Sequence, residues 1–96
     1  MINDINYSKR KTKRYIVYLD DGTKYDFGLR GGSTYIDHYD KKKRDAYRRR
    51  HLGNKQEHYL ITHLIPSPAL FSYYLLWGDS ISLTTNINKL NSLLTS

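Results

Sequence analysis

Ninety-six residues make one domain at most, with a modest core, since 39% of them are hydrophobic. The chain has no Cys, which excludes disulfides, thiolate chemistry and Cys-ligated zinc. Its net charge of +7 is unevenly spread: residues 1–55 hold fifteen Lys or Arg against seven Asp, giving +8, and residues 56–96 hold Lys89 against Glu57 and Asp79, giving −1. A basic front and a nearly neutral, apolar rear are therefore expected to present different surfaces.

Residues 1–13 are polar and carry Lys9, Arg10, Lys11 and Lys13. They read as a flexible basic arm ahead of a single small α+β domain over 14–96. The stretch lacks the apolar run of a signal peptide. Arg14–Leu19 is rich in β-branched and aromatic residues, with Tyr15, Val17 and Leu19 on one face and Ile16 and Tyr18 on the other. Asp20-Asp21-Gly22-Thr23 is a turn with Gly where a positive φ is needed. Lys24–Phe27 alternates again, so the two runs predict a two-stranded β-hairpin. A lone hairpin is marginal in water and needs something to pack on. Gly28-Leu29-Arg30-Gly31-Gly32-Ser33 has neither a Gly-Lys-Ser/Thr ending nor a βαβ setting, so it reads as a connector, not a nucleotide loop.

Asp40–His51 (DKKKRDAYRRRH) is the densest signal in the chain. It holds Lys41, Lys42, Lys43, Arg44, Arg48, Arg49 and Arg50 against Asp40 and Asp45. Asp40 suits a helix N-cap, and Gly53 suits a left-handed C-terminal stop. Arg48, Arg49 and Arg50 sit at the favourable end of the macrodipole, while Lys41–Arg44 sit at the unfavourable one. On a helical wheel Ile36, Tyr39, Lys43, Tyr47 and Arg50 fall near one stripe with Ala46 beside it. That narrow stripe leaves most of the helix to solvent or to a partner. A helix that retains so much charge fits an anionic partner, either nucleic-acid phosphates or an acidic protein surface. Tyr35, Tyr39 and Tyr47 are candidate base-stacking residues or anchors to the hairpin.

Residues 53–63 read as an irregular loop. Ser67-Pro68 is a helix start, because Ser caps and Pro at the first helical position loses no hydrogen bond. Pro68–Trp77 is apolar nearly all round and is closed by Gly78. Leu70, Phe71, Tyr74 and Trp77 are its candidate partner-docking residues. Its longest apolar stretch is too short to span a bilayer, so a soluble protein is expected. A last helix, capped by Asp79, Ser80 or Ser82, shows Leu83, Ile87, Leu90 and Leu94 at helical spacing. Asn86, Asn88 and Asn91 weaken it by propensity.

His38, His51, His58 and His63 could meet Asp37, Asp40 or Glu57, but their spacing matches no helical zinc pair, and neither metal nor other cofactor is expected. No nucleophile sits in an elbow. A small phosphodiesterase using His38 or His51 as base and Arg48 or Arg50 on phosphate is the remaining catalytic reading.

The succession Tyr15-Ile16-Val17, Asp21-Gly22, Phe27-Gly28, Tyr35, His38-Tyr39-Asp40, Arg44, Tyr47, Arg50-His51 and Leu75-Leu76-Trp77-Gly78 resembles a family of small basic proteins of nucleocytoplasmic large DNA viruses. Between His51 and Pro68 the chain lacks the Trp- and Gly-containing segment of that family. The resemblance covers residues 14–80 and implies a virion structural or genome-associated component, with Phe27, Gly28, Tyr35, His38, Asp40, Tyr47, Arg50, His51 and Trp77 as signature positions. Combined with the residues, it gives a non-enzymatic minor capsid or capsid-lining protein located in the virion, and in the host cytoplasm during assembly. Its partners would be other capsid or virion proteins through the apolar segment. DNA or RNA would be reached through the basic helix, the arm residues Lys9, Arg10 and Lys11, and His51. No small-molecule substrate is expected. The alternative is a sequence-nonspecific nucleic-acid-binding protein.

Overall fold

Tyr15, Val17 and Leu19 of Lys13–Leu19 (β2) and Phe27 of Lys24–Leu29 (β3) turn inward at two-residue spacing, and the two strands form an antiparallel pair. Tyr15 opposes Phe27 and Val17 opposes Tyr25 on the inner face, while Ile16 opposes Asp26 and Tyr18 opposes Lys24 on the outer one. Gly22 turns the chain at φ 89°, as the Asp-Gly signal predicts. In the computed structural model, which describes residues 1–95, this hairpin is two thirds of a larger sheet.

The third strand comes from residues expected to form a flexible arm. Ile2–Tyr7 (β1) pairs antiparallel with β2, placing Ile5 opposite Val17 and Tyr7 opposite Tyr15. The register shifts between Ile2 and Asp4, so Ile2 and Ile5 share a face although three residues apart. Asn91 locks the strand from a distance: its Oδ1 accepts from the Ile2 N–H at 2.7 Å and its Nδ2 donates to the Ile2 carbonyl at 3.1 Å.

The rest of the chain is helical: Tyr35–His38 (α1), Lys41–Leu52 (α2), Lys55–Thr62 (α3), Pro68–Phe71 (α4) running into a π-helical turn over Ser72–Leu76, and Leu83–Leu94 (α5). The fold is thus α+β, a three-stranded antiparallel sheet with its inner face against the second half of the chain. Val17, Phe27, Phe71, Leu75, Leu76 and Leu90 form the centre of the core, each at most 1% exposed. Burying such side chains contributes about 1.5–3 kcal/mol each. The expected C-terminal stripe is the face α5 packs on this core, with Leu83, Ile87 and Leu94 around Leu90.

Two local expectations are corrected. Residues 53–63 are not an irregular loop, because Asn54 caps α3 by accepting from Gln56 and Glu57 N–H groups. Gly53 is right-handed at φ −75°, since the chain passes straight from α2 into that cap instead of reversing. Among the described residues, no helix is long and apolar enough to cross a membrane.

Asp37 ties α1 to the sheet. Its carboxylate accepts from both terminal nitrogens of Arg14 at 2.6 and 2.7 Å, and from the backbone and hydroxyl of Thr34 at 2.9 Å each. The Arg14 guanidinium, helped by the Thr34 donors and opposed by burial, holds this carboxyl far below the usual carboxylate range. A depressed folded pKa gives stability that is complete above the unfolded value near 4 and is lost as pH falls below it. Asp37→Asn is expected to lose about 1 kcal/mol at pH 7, a modest figure because the Asp37 side chain is 34% exposed. Urea midpoints should differ between wild type and variant at pH 7 and draw closer as pH falls from about 4 toward 2. A constant difference across that range would rule out the linkage. Asp21 and Asp40 shift in the same direction, so the variant flattens only part of the acid loss.

Candidate polyanion-binding surface

Helix α2 starts where Asp40 Oδ1 accepts from the N–H groups of Lys42 (3.0 Å) and Lys43 (3.3 Å). This is the cap expected from the sequence, and it places a negative charge at the dipole's positive end. No residue of α2 is buried. The helix is held instead by a polar stripe: Arg44, Tyr47, Arg48 and His51, at i, i+3, i+4 and i+7, are its half-buried inner members.

Each member of that stripe has an assigned partner. Arg44 lies 4.8 Å over the ring of Tyr35, which is 4% exposed. Arg48 donates from Nε to the Trp77 carbonyl at 2.8 Å and from a terminal nitrogen to Asp79 at 2.9 Å. Tyr47 stacks on Trp77 at 4.1 Å with planes 8° apart, and meets the His51 ring at 4.0 Å with the planes tilted by 32°. His51 Nδ1 lies 2.7 Å from Glu57 of α3. His38 packs against the other part of the aromatic row, 5.4 Å from Trp77, while its Nδ1 accepts from the Asp40 N–H at 2.9 Å. Burial first, and the charge of Glu57 second, push the Tyr47 hydroxyl up to about 12, so it stays protonated.

The seven cations therefore divide. Arg44 and Arg48 fasten the helix, whereas Lys41, Lys42, Lys43, Arg49 and Arg50 remain exposed and, among the described residues, form no ion pair. Arg50 only lies 5.9 Å from the Tyr47 ring. The stripe expected through Ile36, Tyr39, Lys43, Tyr47 and Arg50 is accordingly rotated: Lys43 and Arg50 face solvent, and Tyr39, at φ 60° and 61% exposed, sits in the α1–α2 joint. Tyr35 and Tyr47 are anchors with their rings already occupied, so neither can stack on a base. Tyr39 keeps that freedom.

Lys9, Arg10 and Lys11 are exposed as expected, but in the β1–β2 connection, not on a loose arm. Arg30, which sequence reasoning passed over, joins them there. It donates to the carbonyls of Lys13 (3.1 Å) and Ser8, so its charge braces the connection without meeting a carboxylate. Lys24 and the open ring of Tyr7 were also missed. Tyr7 was hidden because nothing marked its segment as a strand.

The docking assignment fails for two residues. Leu70 and Phe71 have no exposed surface, because they fill the core beneath the sheet. Tyr74 and Trp77 are half-buried, the latter covered on one side by Tyr47. The segment's near-uniform apolarity is that of a core helix.

A family of unknown function (DUF5754) matches residues 4–51, half of the chain. The chain belongs to that family. The DUF5754 segment runs from β1 to the end of the charged run of α2, so the sheet, α1 and the basic helix fall inside it, and the core-forming α4, π turn and α5 fall outside. No curated protein and no solved structure matches the chain.

Proposed function

We propose that the protein is a non-enzymatic structural component of a virus particle, a minor capsid or capsid-lining protein, that holds a polyanion on α2. The polyanion is genome phosphate or the acidic surface of a neighbouring virion protein. One observation carries the binding half of this reading: five cations of one helix face water unpaired while two others are spent on docking that same helix. Unpaired charge at the unfavourable end of a dipole costs stability unless a partner neutralises it. The virion half is supported by the order of motifs from Tyr15 to Gly78 that resembles the small basic proteins of large DNA viruses. Contact with other particle proteins does not run through Leu70 and Phe71 on this reading, since those are core.

Binding to random-sequence duplex DNA, titrated from 50 to 200 mM salt, tests the reading. If all five cations meet phosphates, log K should fall against log salt with a slope of about −4 to −5. Reversing Lys41, Lys42, Lys43, Arg49 and Arg50 to Glu should remove binding while leaving the far-ultraviolet spectrum unchanged. Binding that ignores both salt and this reversal would refute the role of α2. Absence of the chain from purified particles would refute its place in them.

A further inference from the structure

Among the exposed cations of α2, Arg50 lines a cleft of about 360 Å³ between residues 28–34 and the π turn. Leu29, Leu76 and Trp77 give this cleft an apolar wall. A second cleft of about 480 Å³, lined by Lys13, His51 and Glu57 among others, shares Gly28, Leu29, Tyr47 and Ser72 with the first. The two are therefore one continuous groove. Glu57 is its one lining carboxylate, and it lies 2.7 Å from His51 Nδ1. Lys13 and Arg50 form no ion pair among the described residues. Leu29, common to both clefts, is 66% exposed yet firmly placed. Its carbonyl accepts from the Gly32 N–H at 3.0 Å across a turn in which Gly31 has φ 83°, and the next N–H, of Arg30, donates to the Thr12 carbonyl at 3.1 Å.

An exposed leucine alone signifies nothing. One held rigid in the same cleft as an unpaired guanidinium supplies the two contacts that an apolar ligand bearing a carboxylate needs. A nucleic acid fits this groove less well. Its two rings, Tyr47 and Trp77, already stack on each other, with His51 against the first and His38 against the second, so they are not an open platform for bases. A peptide needs no open ring face, because an aliphatic or aromatic side chain packs on Leu29 and on ring edges alike. We infer that this groove binds a short acidic peptide segment of another protein, with a bulky apolar side chain against Leu29 and Trp77 and an adjacent carboxylate on Arg50. Lys13 meets a second carboxylate at the far end, where His51 occupies Glu57. The inference deepens the proposed reading by naming what a neighbouring protein places against α2, and it rests on that reading only through Arg50.

The test is selection of a displayed random-heptapeptide library on the immobilised full chain, at about 0.1 M salt. Enriched peptides should share a bulky apolar residue next to Asp or Glu. A labelled copy of the most enriched peptide is then titrated by anisotropy. Leu29→Ser should weaken it by about 10- to 100-fold, the worth of burying one leucine-sized side chain. Arg50→Ala should weaken it by about 10-fold, the worth of one hydrogen bond to a charged group. Both side chains are exposed, and unchanged urea midpoints would exclude unfolding as the cause. Replacing Lys41, Lys42, Lys43 and Arg49 with Gln should remove most duplex binding but leave peptide affinity within about threefold, since those charges lie outside the groove. Leu29→Ser should do the reverse, so the groove and the polyanion reading of α2 stand or fall separately. No enrichment, enriched peptides lacking either the acidic or the apolar residue, or wild-type affinity in Leu29→Ser would overturn the inference. So would loss of the peptide in the Gln variant, which would make it a ligand of general charge. Oligo-dT that displaces the peptide and is itself weakened by Leu29→Ser would make the groove a nucleic-acid site instead.

Discussion

Gly78→Ala should lower folding stability by about 3 kcal/mol or more, seen as a large drop in urea midpoint with an unchanged slope. The glycine is needed for space rather than for an unusual φ. A methyl at Gly78 would sit far inside contact with the Tyr74 carbonyl oxygen, and 2.9 Å from both Cγ and Oδ1 of Asn86. The first obstacle is backbone in the π turn and the second is a side chain held by three hydrogen bonds, so neither can move aside cheaply. Gly22→Ala is the comparison that isolates this cause. Gly22 has a positive φ but nothing within 4 Å of the added carbon, so it should lose only about 1 kcal/mol. Equal losses at the two positions would show that crowding at Gly78 is not what matters. The consequence reaches the basic surface: Gly78 directly follows Trp77, whose carbonyl receives Arg48 and whose ring receives Tyr47. The close approach at Gly78 therefore helps to set where α2 sits.

The β2–β3 hairpin, the Asp40 cap and the Ser67-Pro68 start were legible because each is a local rule met by local residues. Alternation, a carboxylate at the cap and Pro at the first helical position need no tertiary information. What escaped were features with a distant cause. β1 could not be read because its two apolar anchors, Ile2 and Ile5, break the two-residue period and face one way only through a register shift against β2. α3 has a sequence signal that could have found it, since Asn54 followed three residues later by Glu57 is a cap pattern before an apolar pair. The inner stripe of α2 is the most instructive case. An apolar-periodicity search looks for Leu and Ile, whereas Arg44, Tyr47, Arg48 and His51 dock the helix through a guanidinium over a ring, a stacked pair and bonds to a carbonyl. Of the candidate surface, the exposed cations were legible by type, but the split between fastening and free arginines was not. Arg48 and Arg49 are adjacent and identical, and only the position of Trp77 tells them apart.

The same distance from local rules decides the outcome expected at Asn86. By helix propensity, Leu is better than Asn by up to about half a kcal/mol, so Asn86→Leu and Asn88→Leu in α5 should both stabilise. The packing separates them. Asn88 is exposed, whereas Asn86 is 2% exposed and its amide bridges three backbone groups. Nδ2 donates to the carbonyls of Leu75 (3.0 Å) and Ser80 (2.8 Å), and Oδ1 accepts from the Ser80 N–H at 3.1 Å. Leu has the same number of side-chain heavy atoms and would bury more apolar surface, yet it would leave those groups without this partner, at about 1–3 kcal/mol each less whatever solvent recovers. Asn86→Leu should therefore destabilise by about 3 kcal/mol, while Asn88→Leu stabilises by a few tenths. The two urea midpoints should move in opposite directions from wild type. If both rise, propensity governs α5 and the bridge between the π turn and the α5 entry contributes little. If Asn86→Leu falls as expected, the residue that looked like a flaw in a weak helix is what joins that helix to the turn carrying Trp77, and through Trp77 to the charged helix.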